Sequence, residues 1–267
     1  MRQADEAVIV ARLRAAGCVY AEAEAELLIS AAATPADLAD MVDRRAAGLP
    51  LEQILGWAEF CGLRIAVSPG VFVPRRRSEF LVGQAVAEAP RDRACVVVDL
   101  CCGTGAVGVA VATALGGADL HASDIEPAAV ACASANVAAV GGTAYTGDLY
   151  DPLPSALRGR VDLVVVNAPY VPTSEIGLMP AEARLHEPRV ALDGGPDGVA
   201  IHRRVAAEAP AWLAPDGRLL IETSERQAPL TQAAMTLAGL ATTVVTDDEI
   251  DATIVTGRLT PLGRNLS

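Results

Sequence analysis

Lysine is absent from this 267-residue chain, and all 21 of its basic residues are arginines. Chemistry that needs a lysine amine, such as hydride transfer backed by a Tyr–Lys pair, therefore has nothing to rest on. The three histidines, His121, His186 and His202, show no metal-ligand spacing and read as packing or surface residues. Cys18, Cys61, Cys95, Cys101, Cys102 and Cys132 match neither a zinc pattern nor a disulfide framework, which predicts reduced thiols and no metal. Low-complexity tracts and internal repeats are missing as well. The first residues lack the basic and then apolar regions of a signal peptide, so a cytoplasmic location is expected.

Basic surface is also scarce: 33 acidic residues against 21 basic ones give a formal net charge of -12. Such a surface repels a phosphate backbone at long range, so nucleic acid is an unfavourable partner. Arg75-Arg76-Arg77 forms a short basic run and reads as a solvated turn. Residues 100–118 are nearly free of charge and long enough to tempt a membrane-spanning reading. They contain the turn-forming Gly103-Thr104-Gly105 close behind a strand-like run, which predicts a buried helix and no membrane partner.

What is present suits a folded chain: 52% hydrophobic and 20% charged residues, enough for one large α/β core plus a small accessory domain. Residues 4–47 repeat apolar positions at helical spacing, with Thr34-Pro35 as cap and first-turn proline and Gly48 as a stop. This predicts an N-terminal helical domain over residues 1–50, suited to docking a substrate. Short apolar alternations punctuated by Gly56, Gly62 and Gly70 predict a β-hairpin connector over 51–74. A catalytic domain then fills 75–267, where strand-like runs at 96–98, 120–124, 143–146, 161–166, 218–222 and 253–256 alternate with helical stretches. That alternation predicts a parallel sheet covered by helices on both faces.

Chemistry concentrates in two places. Asp99-Leu100-Cys101-Cys102-Gly103-Thr104-Gly105 follows a strand and opens a helix, the context in which a glycine-rich loop approaches a nucleotide-like ligand. Asp124 ends the next strand, where a carboxylate can accept from a ribose diol. Asp99 would oppose a pyrophosphate but suits the ammonium of a methionine moiety, which favours an adenosyl amino acid over NAD. Asp148 and Leu149 fall where an adenine amine and ring would lie.

The second place is Asn167-Ala168-Pro169-Tyr170, directly after a strand. An amide nitrogen is a poor nucleophile because its lone pair is delocalised. Two fixed acceptors, the Asn167 side-chain oxygen and the Ala168 carbonyl, can hold its NH₂ and stabilise developing positive charge. Pro169 stiffens the loop, and Tyr170 can offer a ring face to a planar group. No strong general base is needed, since a methylated cationic nitrogen loses its proton to water.

With these residues in place, the chain resembles the bacterial release-factor glutamine methyltransferases, the PrmC/HemK family, over nearly its whole length. The stretches Gly48-Leu49-Pro50-Leu51-Glu52-Gln53-Ile54-Leu55-Gly56, Pro69-Gly70-Val71 to Pro74-Arg75, Glu187-Pro188 and Gly194-Gly195-Pro196-Asp197-Gly198 carry the likeness. So does the Asn-Pro-Pro-Tyr motif, present here as Asn167-Ala168-Pro169-Tyr170. Three departures mark a divergent subgroup: Ala168 for the first motif proline, Cys101 for the first loop glycine, and Arg76-Arg77-Ser78 for Pro-Glu-Thr. The resemblance implies a Rossmann-like, seven-stranded S-adenosylmethionine-dependent methyltransferase fold. It further implies cofactor contacts from Asp99, Cys101, Cys102, Gly103, Thr104, Gly105, Asp124, Ile125, Asp148, Leu149 and Asn167. A glutamine amide of a partner protein, a translation release factor or another protein, would enter the 167–170 pocket. A methyltransferase for adenine or cytosine amino groups, and a non-catalytic binding protein, stand as alternatives.

Overall fold

The protein, seen in a computed structural model, is described over residues 2–259. Helices α1 (Arg2–Ala15), α2 (Ala21–Ala31) and α3 (Pro35–Ala46) pack around Leu13, Ala21, Ala25, Leu28 and Val42. Thr34 caps α3 by accepting from Asp37 N at 3.1 Å, with Pro35 at the first position, where its missing N–H costs nothing. The next segment departs from the expected hairpin. It begins as a helical turn, α4 (Leu51–Leu55), whose Ile54 completes the small core, and Gly56 ends it in the left-handed conformation. Only then come β1 (Trp57–Phe60) and β2 (Leu63–Ala66), an antiparallel pair. The buried Gln53 clips this connector shut, donating to Val71 O at 3.0 Å and accepting from Gly70 N at 3.2 Å.

The remaining elements build one sheet. After α5 (Glu79–Glu88) come β3 (Val96–Leu100), α6 (Ala106–Ala114), β4 (Asp119–Asp124), α7 (Pro127–Ala138), β5 (Thr143–Thr146) and β6 (Val161–Val166). Then follow α8 (Ala181–His186), α9 (Ala200–Trp212), β7 (Leu213–Thr223), α10 (Ala228–Leu237), β8 (Leu240–Asp247) and β9 (Ala252–Leu259). The strand order is β5-β4-β3-β6-β7-β9-β8. All six residues of β6 are buried, as expected of a central strand covered on both faces. One face packs on α5, α6 and α7 and the other on α9 and α10. Residues 100–118 hold a nine-residue buried helix, α6, and no described helix is long and apolar enough to cross a membrane.

The expected all-parallel sheet is corrected at its last edge. β9 runs antiparallel to both β7 and β8, because the four residues between β8 and β9 are too few for a crossover. β8 itself escapes sequence patterning: it is a half-exposed edge strand carrying Thr242, Thr243, Thr246 and Asp247, residues with no continuous apolar run.

Candidate active site

A cavity of about 220 Å³ opens at the carboxyl ends of β3, β4 and β6. Strand order reverses there: the chain moves outward from β3 through β4 to β5, then returns to β6 on the other side of β3. Crevices of this kind are where open α/β sheets take ligands. Asp99, Cys101, Cys102, Gly103, Thr104, Asp124, Ile125, Asp148, Leu149 and all of Asn167, Ala168, Pro169 and Tyr170 line it.

The loop after β3 is tied down by its own backbone and by two carboxylates. Cys101 takes φ +56° and Gly103 +55°; for the cysteine this left-handed turn costs roughly 1–2 kcal/mol that a glycine would not incur. Cys102 N donates to Ser123 O at 3.1 Å and Gly105 N to Cys102 O at 2.7 Å. Asp124 accepts from Gly103 N and from Glu126 N, both at 2.9 Å. Each of its oxygens keeps a lone pair for a further donor. Asp99 spends Oδ2 on Gly108 N at 2.8 Å, leaving Oδ1. Burial pushes its carboxyl up to about 7, the Gly108 amide pulls it back, and the charge of Asp124 adds to the rise.

Gly105 is not in the cavity wall. It starts α6 at φ +76°, and a Cβ there would stand 2.8 Å from Val137, so its glycine serves close packing of the loop against α7. Asp148 lines the wall but also pairs with Arg204 of α9 at 2.8 Å. Leu149 is buried, at φ +49°, and its carbonyl accepts from Ser123 Oγ at 2.7 Å.

Across the cavity, Asn167 donates Nδ2 to Ser78 Oγ at 3.0 Å. Oδ1 is then the amide atom left for a ligand. Ala168 is buried and lines the same wall. Tyr170 carries Arg77 over its ring at 5.7 Å and its hydroxyl lies 3.5 Å from Glu222. Burial foremost, and then Glu222, hold its phenol above its ordinary range.

Arg76 and Arg77 are exposed, as expected of a solvated basic run, but Arg75 and Arg77 do more than face water. Both line the cavity, because buried carboxylates there need counter-charge: Arg75 pairs with Glu187 at 2.5 Å and Arg77 lies 3.5 Å from Glu222. Sequence reading missed Ser78, Glu222 and Gln227, which reach the motif loop from far along the chain. It also missed Asn136, whose amide donates to Thr104 O at 2.9 Å and to Ala66 O at 3.0 Å, joining hairpin to cofactor loop. No local pattern announces these four. The glycines at 194 and 198 were a signal: a Cβ on Gly194 would come within 2.7 Å of Pro169 O, and one on Gly198 would collide with Gln227 and Tyr170 O.

Sheet order and cavity are those of a Rossmann-like methyltransferase. A family profile, "Methyltransferase small domain", matches residues 62–195. A release factor glutamine methyltransferase of Mycolicibacterium smegmatis is 40% identical over 206 residues, covering 76% of this chain and 72% of that protein. One of Geobacter sulfurreducens is 40% identical over 190 residues, 70% of this chain. The matched stretch spans 65% of that relative's length, just under two thirds. The chain belongs to the methyltransferase small domain family and, within it, to the release factor glutamine methyltransferases. A crystal structure of a methyltransferase from Pyrococcus furiosus superposes with a TM-score of 0.55 over 74% of this chain and 90% of that one. At 12% identity it speaks to the fold alone.

Proposed function

We propose that this protein transfers a methyl group from S-adenosylmethionine to the side-chain amide nitrogen of a glutamine on a partner protein, a translation release factor being the substrate to test first. When bound, that cofactor supplies an electrophilic methyl carbon on a sulfonium centre. The residues present fit it. Asp99 is a buried carboxylate with no cation beside it among the described residues, suited to an ammonium. Asp124 retains acceptor capacity for a ribose, and Ile125 and Leu149 give apolar wall for a purine. Cys101, Cys102, Gly103 and Thr104 form the loop around which the ligand would lie.

The acceptor half would hold the glutamine. Asn167 Oδ1 and the Ala168 carbonyl each take one hydrogen of its NH₂, which directs the nitrogen lone pair and favours charge developing on that nitrogen. Tyr170 presents the ring face not covered by Arg77 to the planar amide. The supporting observation is that Asn167 and Ala168 line one cavity with the Asp99 to Thr104 loop. Incubating the protein with tritium-labelled S-adenosylmethionine, a purified bacterial release factor and total RNA should label a glutamine of the factor, located by mass spectrometry. Label confined to nucleic acid, in this assay and in whole lysate, sinks the proposal.

A further inference from the structure

Helix α8 is weakly anchored by its own side chains. It is six residues long, too short to persist alone in water. Among its described side chains only that of Ala183 is buried, while Arg184 and Leu185 are exposed. Apolar burial therefore contributes little to its placement. Yet the cavity wall depends on it, because the chain runs from α8 straight into Glu187, Pro188, Val190, Ala191 and Leu192, all of which line the cavity.

What holds α8 is polar and comes from the N-terminal helices. Arg45, in the last turn of α3, has a side chain only 10% exposed. It grips Glu24 of α2 with two donors, Nε at 2.6 Å and Nη2 at 3.1 Å, and such a fork fixes the plane of a guanidinium. Its Nη1 donates to Leu49 O at 2.9 Å and, 137 residues along the chain, to Glu182 Oε2 of α8 at 2.9 Å. One turn further on, His186 packs at Gly48, where a Cβ would stand 3.6 Å from the ring Nε2. Both contacts fall where the N-terminal helices end.

We infer that Glu182 is a positioning residue through which the N-terminal helices hold the acceptor wall: Arg45 fixes α8, and α8 delivers Glu187 to Arg75 and to Val73 N. The segment is then pinned at three points, Glu182 to Arg45, Glu187 to Arg75, and Asp193 in a bridge to Val171. The first of these makes the helices part of the acceptor half of the cavity. The kinetic consequence rests on the proposed amide-methylating reading, whereas the placement of the wall can be read without turnover.

The test uses Glu182→Ala and Glu182→Gln. Glu182 is 39% exposed and Arg45 keeps Glu24, so neither variant leaves a buried charge unpaired. Hydrogen exchange read by mass spectrometry follows the amides of Glu187, Ala191 and Leu192, which bond within the segment. In Glu182→Ala they should exchange about fivefold faster, a partly exposed ion pair being worth less than a buried one. Glu182→Gln, which keeps an acceptor, should lie between Ala and wild type. Amides of α2 and β6 should stay as in wild type, and calorimetry should find the Kd of S-adenosylmethionine within about twofold, which also certifies a folded protein. The kcat on the release factor should fall about threefold to tenfold in Glu182→Ala. As a control, Glu175→Ala breaks the pair with Arg226 on the same stretch and should leave exchange at 187–192 unchanged. Exchange unaltered in Glu182→Ala, equal acceleration by Glu175→Ala, or faster exchange with wild-type kcat each overturns the inference. If wild type labels no protein, the substrate reading fails, and the exchange arm alone decides whether the helices hold the wall.

Discussion

The two halves of the cavity are held in different ways. On the cofactor side, the two central carboxylates are held locally: Asp99 bonds Gly108, Asp124 bonds Gly103 and Glu126, and the longest of these links spans 21 residues, while Asn136 and Arg204 brace Thr104 and Asp148 from 32 and 56 residues away. On the acceptor side, restraint comes from a distance. Asn167 is held by Ser78, 89 residues away, and Tyr170 by Gln227, 57 residues away. A nucleotide-like ligand can be met by one strand–loop–helix unit folded on itself. An amide that must be gripped at a defined angle needs the connector, β7 and the start of α10 to be assembled first. Substitutions should therefore separate into those that change cofactor affinity and those that change turnover with affinity intact.

The sharpest separation is expected from Asn167→Ala. Removing a fixed acceptor should lower kcat by about 10²-fold or more, with the Kd of S-adenosylmethionine nearly unchanged; comparable losses in both would dissolve the distinction between the halves. Asp99→Asn should do the reverse. Losing one charge-assisted contact is worth roughly 1.5–3 kcal/mol, so Kd should rise about tenfold to hundredfold, while kcat at saturating cofactor falls far less.

The same carboxyl gives a pH test. Burial foremost pushes the Asp99 carboxyl up to about 7. Below that pH it is protonated, and an ammonium can bind well only once the proton has left. Affinity should be flat above about pH 7 and fall toward tenfold per unit below it. In Asp99→Asn that slope should vanish, which titration calorimetry between pH 5.5 and 8 can decide. If the slope persists in the variant, Asp99 is not the group that meets the cation.

How much of this was legible in the sequence follows the same division. The glycine loop, Asp99, Asp124 and the 167–170 tetrapeptide are each contiguous with a strand, so pattern and chemistry located all of them in the cavity wall except Gly105, which proves to be a packing glycine. β6, five aliphatic residues and one aspartate, was equally plain. β8 was not, because a half-exposed edge strand rich in threonine carries no distinguishing period. Ser78 and Glu222 were hidden for a different reason: a serine and a glutamate acquire meaning only when folding brings β7 beside the end of the connector. Arg77 was half legible: it is exposed as its charge suggested, but its approach to the buried Glu222 carboxylate has no local signal.

The smallest effect predicted is also the finest probe of long-range support. Gln227 is 4% exposed, just ahead of α10, and its Nε2 donates to Tyr170 O at 2.7 Å and to Asp197 O at 3.0 Å. Its Oε1 accepts from Ser224 Oγ at 2.6 Å. It touches no atom of the cofactor loop in these bonds, so Gln227→Ala frees the motif loop without disturbing the other half. A hydrogen bond of this kind contributes about 1 kcal/mol, which corresponds to roughly a fivefold change. We expect kcat to fall about three- to tenfold and the cofactor Kd to stay within twofold. A weakened Kd with unchanged kcat would mean that the start of α10 supports the cofactor side instead of the acceptor.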